Sequence, residues 1–337
     1  MDYPKNRDLK RIMITGGAGY VGGRLVPQLL EDGYEVTVLD LYLYGRQLFA
    51  PWADNPGLRE VEGDLRDEST VQRALEGADA VIHLACISND PSFELNPDLG
   101  KSINYDALPF LIEESKRVGV TRFVYASSSS VYGVKQEERV TEELSLEPLT
   151  DYSKFKMLGE ELCLKAADDS FTVACVRPAT VCGYSPRQRL DVIVNLLTGH
   201  AFYKGKIKVF GGAQYRPNIH IDDMVDCYRL LLSAPAEKIQ RAVYNAGYEN
   251  HTVSDIAEMV RSVVGKPVEL VVEPTNDPRS YRVDSGLIER ELGFKAKRTI
   301  AEAAEGLAQA FAAGKLPEAP DHPRYWNIRT MQNVGLS

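Results

Sequence analysis

The sequence predicts an α/β fold, a doubly wound parallel sheet with a smaller C-terminal lobe. Three observations lead there. Short apolar runs alternate with amphipathic helical patterns through the first half of the chain. Strands separated by helices of that length pair in parallel, with helices on both faces. Glycines punctuate the junction between the first strand and the first helix, and after Pro178 the alternation loosens.

Taken in order, RIMITG (11–16), EVTVLD (35–40), DAVIHLA (79–85), RFVYAS (122–127) and TVACVRP (172–178) read as strands, with VYNAG (243–247) as one more. Their apolar, β-branched content suits strands buried on both faces. Amphipathic segments lie between them near 21–32, 69–76, 101–118 and 152–167. Beyond Pro178, RLDVIVNLLTGHA reads as a helix and IKVFGG as a strand. Helices at 253–264 and 285–292, a VELVVE strand and a Pro-rich tail follow. The acidic pairs Glu137–Glu138 and Glu142–Glu143 read as solvated loop charges.

With 44% hydrophobic and 26% charged residues, the 337-residue chain can build a sizeable core. A net charge of −9 argues against nucleic acid or an anionic membrane as the main partner. Five cysteines at irregular spacing form no CxxC pair, which fits reduced thiols rather than a disulfide framework or zinc site. No apolar run approaches the roughly 20 residues of a membrane span, and no signal-peptide pattern opens the chain. The expectation is a cytoplasmic protein.

ITGGAGYVGGRL carries Gly16, Gly19 and Gly22 between strand and helix. In that setting Gly16 allows a tight turn, Gly19 lets backbone approach a pyrophosphate, and Gly22 lets the helix pack closely. The phosphates would face the positive helix N-terminus; Tyr20 and Val21 belong to the same turn. Asp40 ends the second strand. A carboxylate there accepts from a ribose 2′-hydroxyl and repels a 2′-phosphate, so it selects NAD over NADP; a turn cap is the plainer alternative.

Tyr152 and Lys156 in DYSKFKMLGE are four apart, hence on one helix face. An ammonium beside a phenol favours the phenolate and lowers its pKa, giving a general base. YASSSSVYG (125–133) follows an apolar strand, at the strand end where doubly wound sheets bind ligands, so its hydroxyls line a cleft rather than a linker.

Glycine turn, serine segment and YxxxK follow in the order seen in the short-chain dehydrogenase/reductases. With GDLRD (63–67), HLA (83–85), VRPATVCG (176–183) and RPNIHIDDMV (216–225), the chain resembles the extended, NAD-dependent epimerase/dehydratase family, which includes UDP-glucose 4-epimerases. The resemblance implies a Rossmann domain over 1–180 and 222–250, and a nucleotide-sugar lobe over 181–221 and 251–337. It implies Ser128, three residues before Val131, as the hydroxyl on the reacting sugar oxygen, with Tyr152 and Lys156 beside it. Ser127 and Ser129 are the alternatives, and Ser129 is also a substrate contact. It places Asp64 and Leu65 at the adenine, Leu84 and Ala85 at the nicotinamide ribose, and Asn104 in support. His83 and His220 read as structural. Arg216 and Arg279 are expected on a nucleotide diphosphate, and Asn195 is either near the pyrophosphate or an ordinary polar helix residue. Arg187 and Arg189 are either phosphate or sugar contacts or surface charges.

Two departures stand out. The family's 4,6-dehydratases follow the catalytic hydroxyl with Asp-Glu, where this chain has Ser129 and Ser130. In RSYRVD, Arg282 stands where galactose-type epimerases carry an acid. The expected activity is an NAD-dependent nucleotide-sugar epimerase acting at C4. A keto-sugar reductase with net redox turnover and a non-catalytic NAD sensor are the alternatives. A homodimer built on 101–118 and 152–167 is implied by the resemblance, although Leu108, Leu111, Ile112, Leu158 and Leu162 fit a core equally well.

Overall fold

Parallel strands whose side chains are buried on both faces form the centre of the protein, seen in a computed structural model that describes residues 5–6, 8–276 and 279–335. In chain order, β1 (Arg11–Thr15), α1 (Gly22–Glu31), β2 (Glu35–Asp40), β3 (Leu58–Glu62), α2 (Glu68–Leu75) and β4 (Ala80–His83) come first. Then come α3 (Asp90–Phe93), α4 (Pro97–Lys101), α5 (Leu108–Arg117), β5 (Arg122–Ala126), α6 (Asp151–Ala166), β6 (Thr172–Pro178) and β7 (Thr180–Cys182). Next are α7 (Ile193–Lys204), β8 (Lys206–Phe210), β9 (Tyr215–His220), α8 (Ile221–Ser233), α9 (Ala236–Ile239), β10 (Ala242–Ala246) and β11 (Glu249–Thr252). The chain closes with α10 (Val253–Val263), β12 (Glu269–Glu273), α11 (Gly286–Leu292), α12 (Ile300–Ala312) and α13 (Asn327–Val334).

The main sheet has seven strands in the order β3-β2-β1-β4-β5-β6-β10, all parallel. The direction of winding reverses between β1 and β4, the switch point at which such sheets open a crevice beyond their C-terminal ends. One face packs against α1 and α8 through residues such as Leu25, Leu29, Met224 and Leu231. The other packs against α2, α5 and α6 through Val71, Leu108, Leu111 and Cys163. Leu108, Leu111 and Ile112 therefore belong to the core. The rest of the chain forms a three-stranded sheet, β11-β9-β7, and a two-stranded one, β12-β8, with α7, α10 and α12 around a third apolar cluster.

Several expected elements differ in detail. The 101–118 segment is not one helix: α4 passes through a π-helical turn at Ser102–Asp106 before α5 begins beside Pro109. α7 starts at Ile193 because Val192 is extended and Arg189 pairs with Asp191 just ahead of it. β3 carries no apolar signature because it is the sheet edge, with most of its side chains exposed or half-buried. All five cysteines are free thiols. Among the described residues no helix is long and apolar enough to cross a membrane.

Candidate active site

At the C-terminal ends of the strands lies a cavity of about 840 Å³. Its walls come from the turn after β1, the end of β2, the segments after β4 and β5, one face of α6, and the smaller sheets.

The glycine turn is built by close approach. Gly16 has φ +69°, and a Cβ there would lie 2.6 Å from the Ala85 backbone. A Cβ on Gly22 would lie 2.1 Å from the Gly17 carbonyl oxygen, so the first turn of α1 rests directly on the loop. α1 has no side-chain cap and no acidic residue in its first turn, which leaves its positive end for whatever occupies the cavity. Gly19, Tyr20 and Val21 line that cavity. The Tyr20 hydroxyl donates to the Gly183 carbonyl at 2.6 Å and so also ties the turn to the smaller sheets. Asp40 lines the cavity too, but its carboxylate accepts from the backbone N–H of Ala18 (2.9 Å) and of Tyr42 (2.8 Å). Burial pushes its pKa up, and those two N–H groups pull it down. Asp40 is thus a turn brace as well as a wall. Asp64, Leu65, Leu84 and Ala85 line the same cavity. Burial opposes ionisation of Asp64, but Arg66, 2.7 Å away, holds it below the usual carboxylate range.

Ser128, Tyr152 and Lys156 converge where β5 ends against α6. Thr150 and Ser153 form a capping box that starts α6, which puts Tyr152 in its first turn and Lys156 one turn on. The buried Lys156 ammonium donates to the Ala126 carbonyl at 2.7 Å and lies 5.3 Å from the centre of the Tyr125 ring. The Ser128 Oγ lies 2.8 Å from Ser130 Oγ and caps the serine turn. The sequence led us to expect an acidified Tyr152 phenol. Instead its pKa is raised, first by burial and then by Cys86, while Arg189 and the Ser128 hydroxyl pull it down. Ser129 Oγ lies 3.2 Å from the Tyr281 hydroxyl, and the Ser127 hydroxyl is buried without a partner. His83 is packed in the sheet as expected, stacked on Tyr125 with Nδ1 2.6 Å from Thr15 Oγ1. The His220 ring nitrogen caps α8.

The arginines divide. Arg216 and Arg279 both line the cavity. Arg216 donates to the Tyr215 carbonyl at 3.1 Å and to that of Arg279, and Arg279 pairs with Asp90 at 2.7 Å. Arg187 and Arg189 are not surface charges: Arg187 is buried and Arg189 half-buried, both in the cavity wall. Arg189 pairs with Asp191 at 2.6 Å and donates to the Ser88 carbonyl at 2.7 Å. Arg282 instead stacks 4.0 Å from the centre of the Tyr215 ring.

One expected contact is corrected, and Asn104 takes its supporting place. Asn195 is fully buried and off the cavity wall. Its oxygen accepts from the Gly183 N–H at 2.9 Å, and its NH₂ donates to the Tyr20 hydroxyl and the Arg189 carbonyl. It pins loops from behind the cavity wall. Asn104 likewise gives both ends of its amide to the Ile87 backbone, at 2.8 and 3.1 Å, and shapes the segment after β4 from behind. Conversely, Tyr281 and Asn327 line the cavity without having been singled out. Each reaches it only through tertiary folding, so no local spacing marks it.

The chain is 36% identical over 220 residues to the uncharacterized protein y4nG of Sinorhizobium fredii, a match covering 65% of this chain and 52%, about half, of that one. It is 27% identical over 308 residues to a UDP-glucose 4-epimerase of Lactobacillus helveticus, covering 85% of this chain and 92% of the relative. Among solved structures, the dTDP-glucose 4,6-dehydratase DesIV from Streptomyces venezuelae, with NAD bound, superposes with a TM-score of 0.81 at 27% identity, covering 90% of this chain and 98% of that one. The family model that matches residues 12–247 accords with the glycine turn, the parallel sheet and the serine–tyrosine–lysine convergence: the chain belongs to the NAD dependent epimerase/dehydratase family.

Proposed function

We propose that the protein is a nucleotide-sugar epimerase that inverts C4 by transient oxidation, and that its Rossmann part holds NAD while the smaller sheets hold the nucleotide. The observation that carries this reading is the convergence of Ser128, Tyr152 and Lys156 on a cavity that also contains the glycine turn. The turn fits a dinucleotide: α1 is uncapped and glycine is sterically required at its base. NAD, when bound, supplies the hydride acceptor and donor and a positive ring that favours the phenolate. Tyr152 takes the proton of the sugar hydroxyl and later returns it. Ser128 orients that oxygen, and Lys156 holds the end of β5 against α6 and adds positive charge. Arg216 and Arg279 suit a diphosphate through their planar forks.

The choice of epimerase over dehydratase rests on the carboxylates. Ser129 and Ser130 follow Ser128, so no acid stands beside the phenol there. The two acids near this end of the cavity are already bonded, Asp90 to Arg279 and Thr150, and Asp191 to Arg189. The test is to incubate the purified protein with UDP-glucose, UDP-glucuronate and GDP-mannose and follow each by NMR. One epimer pair should approach equilibrium without net NADH. Stoichiometric NADH accumulation, or a dehydrated sugar, would overturn the epimerase reading.

A further inference from the structure

Arg187 is a buried cation whose hydrogen bonds go only to neutral groups. It is 6% exposed. One Nη donates to the Asn327 side-chain oxygen at 2.7 Å, the other to the Gln188 carbonyl at 3.4 Å, and Nε has no partner. The nearby carboxylates are engaged elsewhere: Asp40 by the Ala18 and Tyr42 N–H groups, Asp191 by Arg189 and Asn327. A buried guanidinium without a bonded anion is costly. Its location suggests what would relieve that cost. Its carbon atoms lie against α1, because a Cβ on Gly23 would be 3.4 Å from Arg187 Cβ. Its plane sits 3.3 Å from the centre of the Tyr44 ring in the cavity wall. The uncapped end of α1 and the under-bonded guanidinium thus border the same stretch of cavity.

We propose that Arg187 is a second clamp on the pyrophosphate of the dinucleotide, and that the C-terminal helix holds it in place through Asn327. This rests on the NAD reading above. Asn327 is a positioning residue. Besides accepting from Arg187, its NH₂ donates to Ser88 Oγ at 2.9 Å and its backbone N–H to Asp191 at 3.1 Å. The Tyr325 carbonyl, two residues earlier, accepts from the Leu190 N–H at 2.8 Å. The tail therefore fastens the Arg187–Asp191 segment along one side of the cavity. Dinucleotide retention depends on the last turns of the chain, far in sequence from the glycine turn.

The test measures dissociation constants of the full-length protein for NAD, ADP and adenosine by calorimetry. Arg187→Gln should weaken NAD and ADP about 10- to 100-fold, the range of a charge-assisted hydrogen bond, and leave adenosine unchanged. Asn327→Ala, which keeps the guanidinium, should weaken NAD about 3- to 10-fold, again sparing adenosine, and gives a reading even if the Arg187 variant fails to fold. Arg187→Lys should recover part of the loss. Variants that bind NAD within twofold of the parent, or that lose adenosine as much as NAD, would overturn the clamp. A parent protein that binds ADP in an Arg187-dependent way but not NAD would uphold the phosphate site and overturn the redox reading instead.

Discussion

Tyr152 sits between opposed influences. Burial pushes its phenol up, while Arg189 and the Ser128 hydroxyl draw it down. Because the net direction is upward, the base form becomes more populated as pH rises, so turnover should climb through the alkaline range. Tyr152→Phe should lower the epimerisation rate by about 10²- to 10⁴-fold while leaving the thermal midpoint close to the parent's, since the ring still packs beside Ile87 and Phe93. NMR rates and a melting curve check this, and a Phe variant within tenfold of the parent would remove Tyr152 from the chemistry. At this scale the sequence was legible where geometry is local. Gly16, Asp40 and the Tyr152–Lys156 pair are set by a turn and a helix face, and all line the cavity. Asn195 misled because its amide is engaged by the Gly183 N–H, the Tyr20 hydroxyl and the Arg189 carbonyl, which only the folded chain reveals. Tyr281 meets Ser129 across 152 residues of chain, a distance no motif spans.

Secondary elements show the same rule at larger reach. Strands buried on both faces, β1, β4, β5 and β6, were plain in the sequence because their apolar runs are continuous. Edge strand β3 was silent because its side chains are exposed or half-buried, and α8 and α12 were not singled out as helices. Glu142, read as solvated, is half-buried and accepts from the Asn245 N–H of β10 at 2.8 Å. The junction of α1 with its turn gives the sharpest test of an element. Gly22→Ala places a methyl 2.1 Å from a backbone oxygen that cannot step aside. It should cost about 1–3 kcal/mol and release the dinucleotide. Gly306→Ala in α12 meets nothing within 4 Å and should stabilise by about 0.4–1 kcal/mol. Urea unfolding of the two variants should therefore shift in opposite directions; shifts of the same sign would mean the close approach of α1 to its turn is not what the chain requires.

At the scale of the whole molecule, β4 is the seam between the two directions of winding, and His83 lies at its C-terminal end, enclosed by Thr15, Phe123 and Tyr125 with Lys156 close by. Burial, reinforced by the Lys156 charge, pushes the imidazole pKa from 6.5 down to about 3. The sign of the pH dependence follows. Between those values the unfolded chain binds a proton at His83 that the folded one refuses, so folding stability is intact above pH 6.5 and declines as pH falls toward 3. The slope from this one group is about 1.4 kcal/mol per pH unit. No surface histidine would produce it, because a solvated ring titrates alike in both states. His83→Gln removes the ionisable group while keeping a polar partner for Thr15. Its unfolding free energy, followed by urea titration from pH 7 to 4, should fall less steeply than the parent's by that same slope, with the contributions of the acidic side chains cancelling in the difference. Parallel curves would mean that the centre of the sheet admits a proton without opening, and that the seam at β4 is not as dry as its packing indicates.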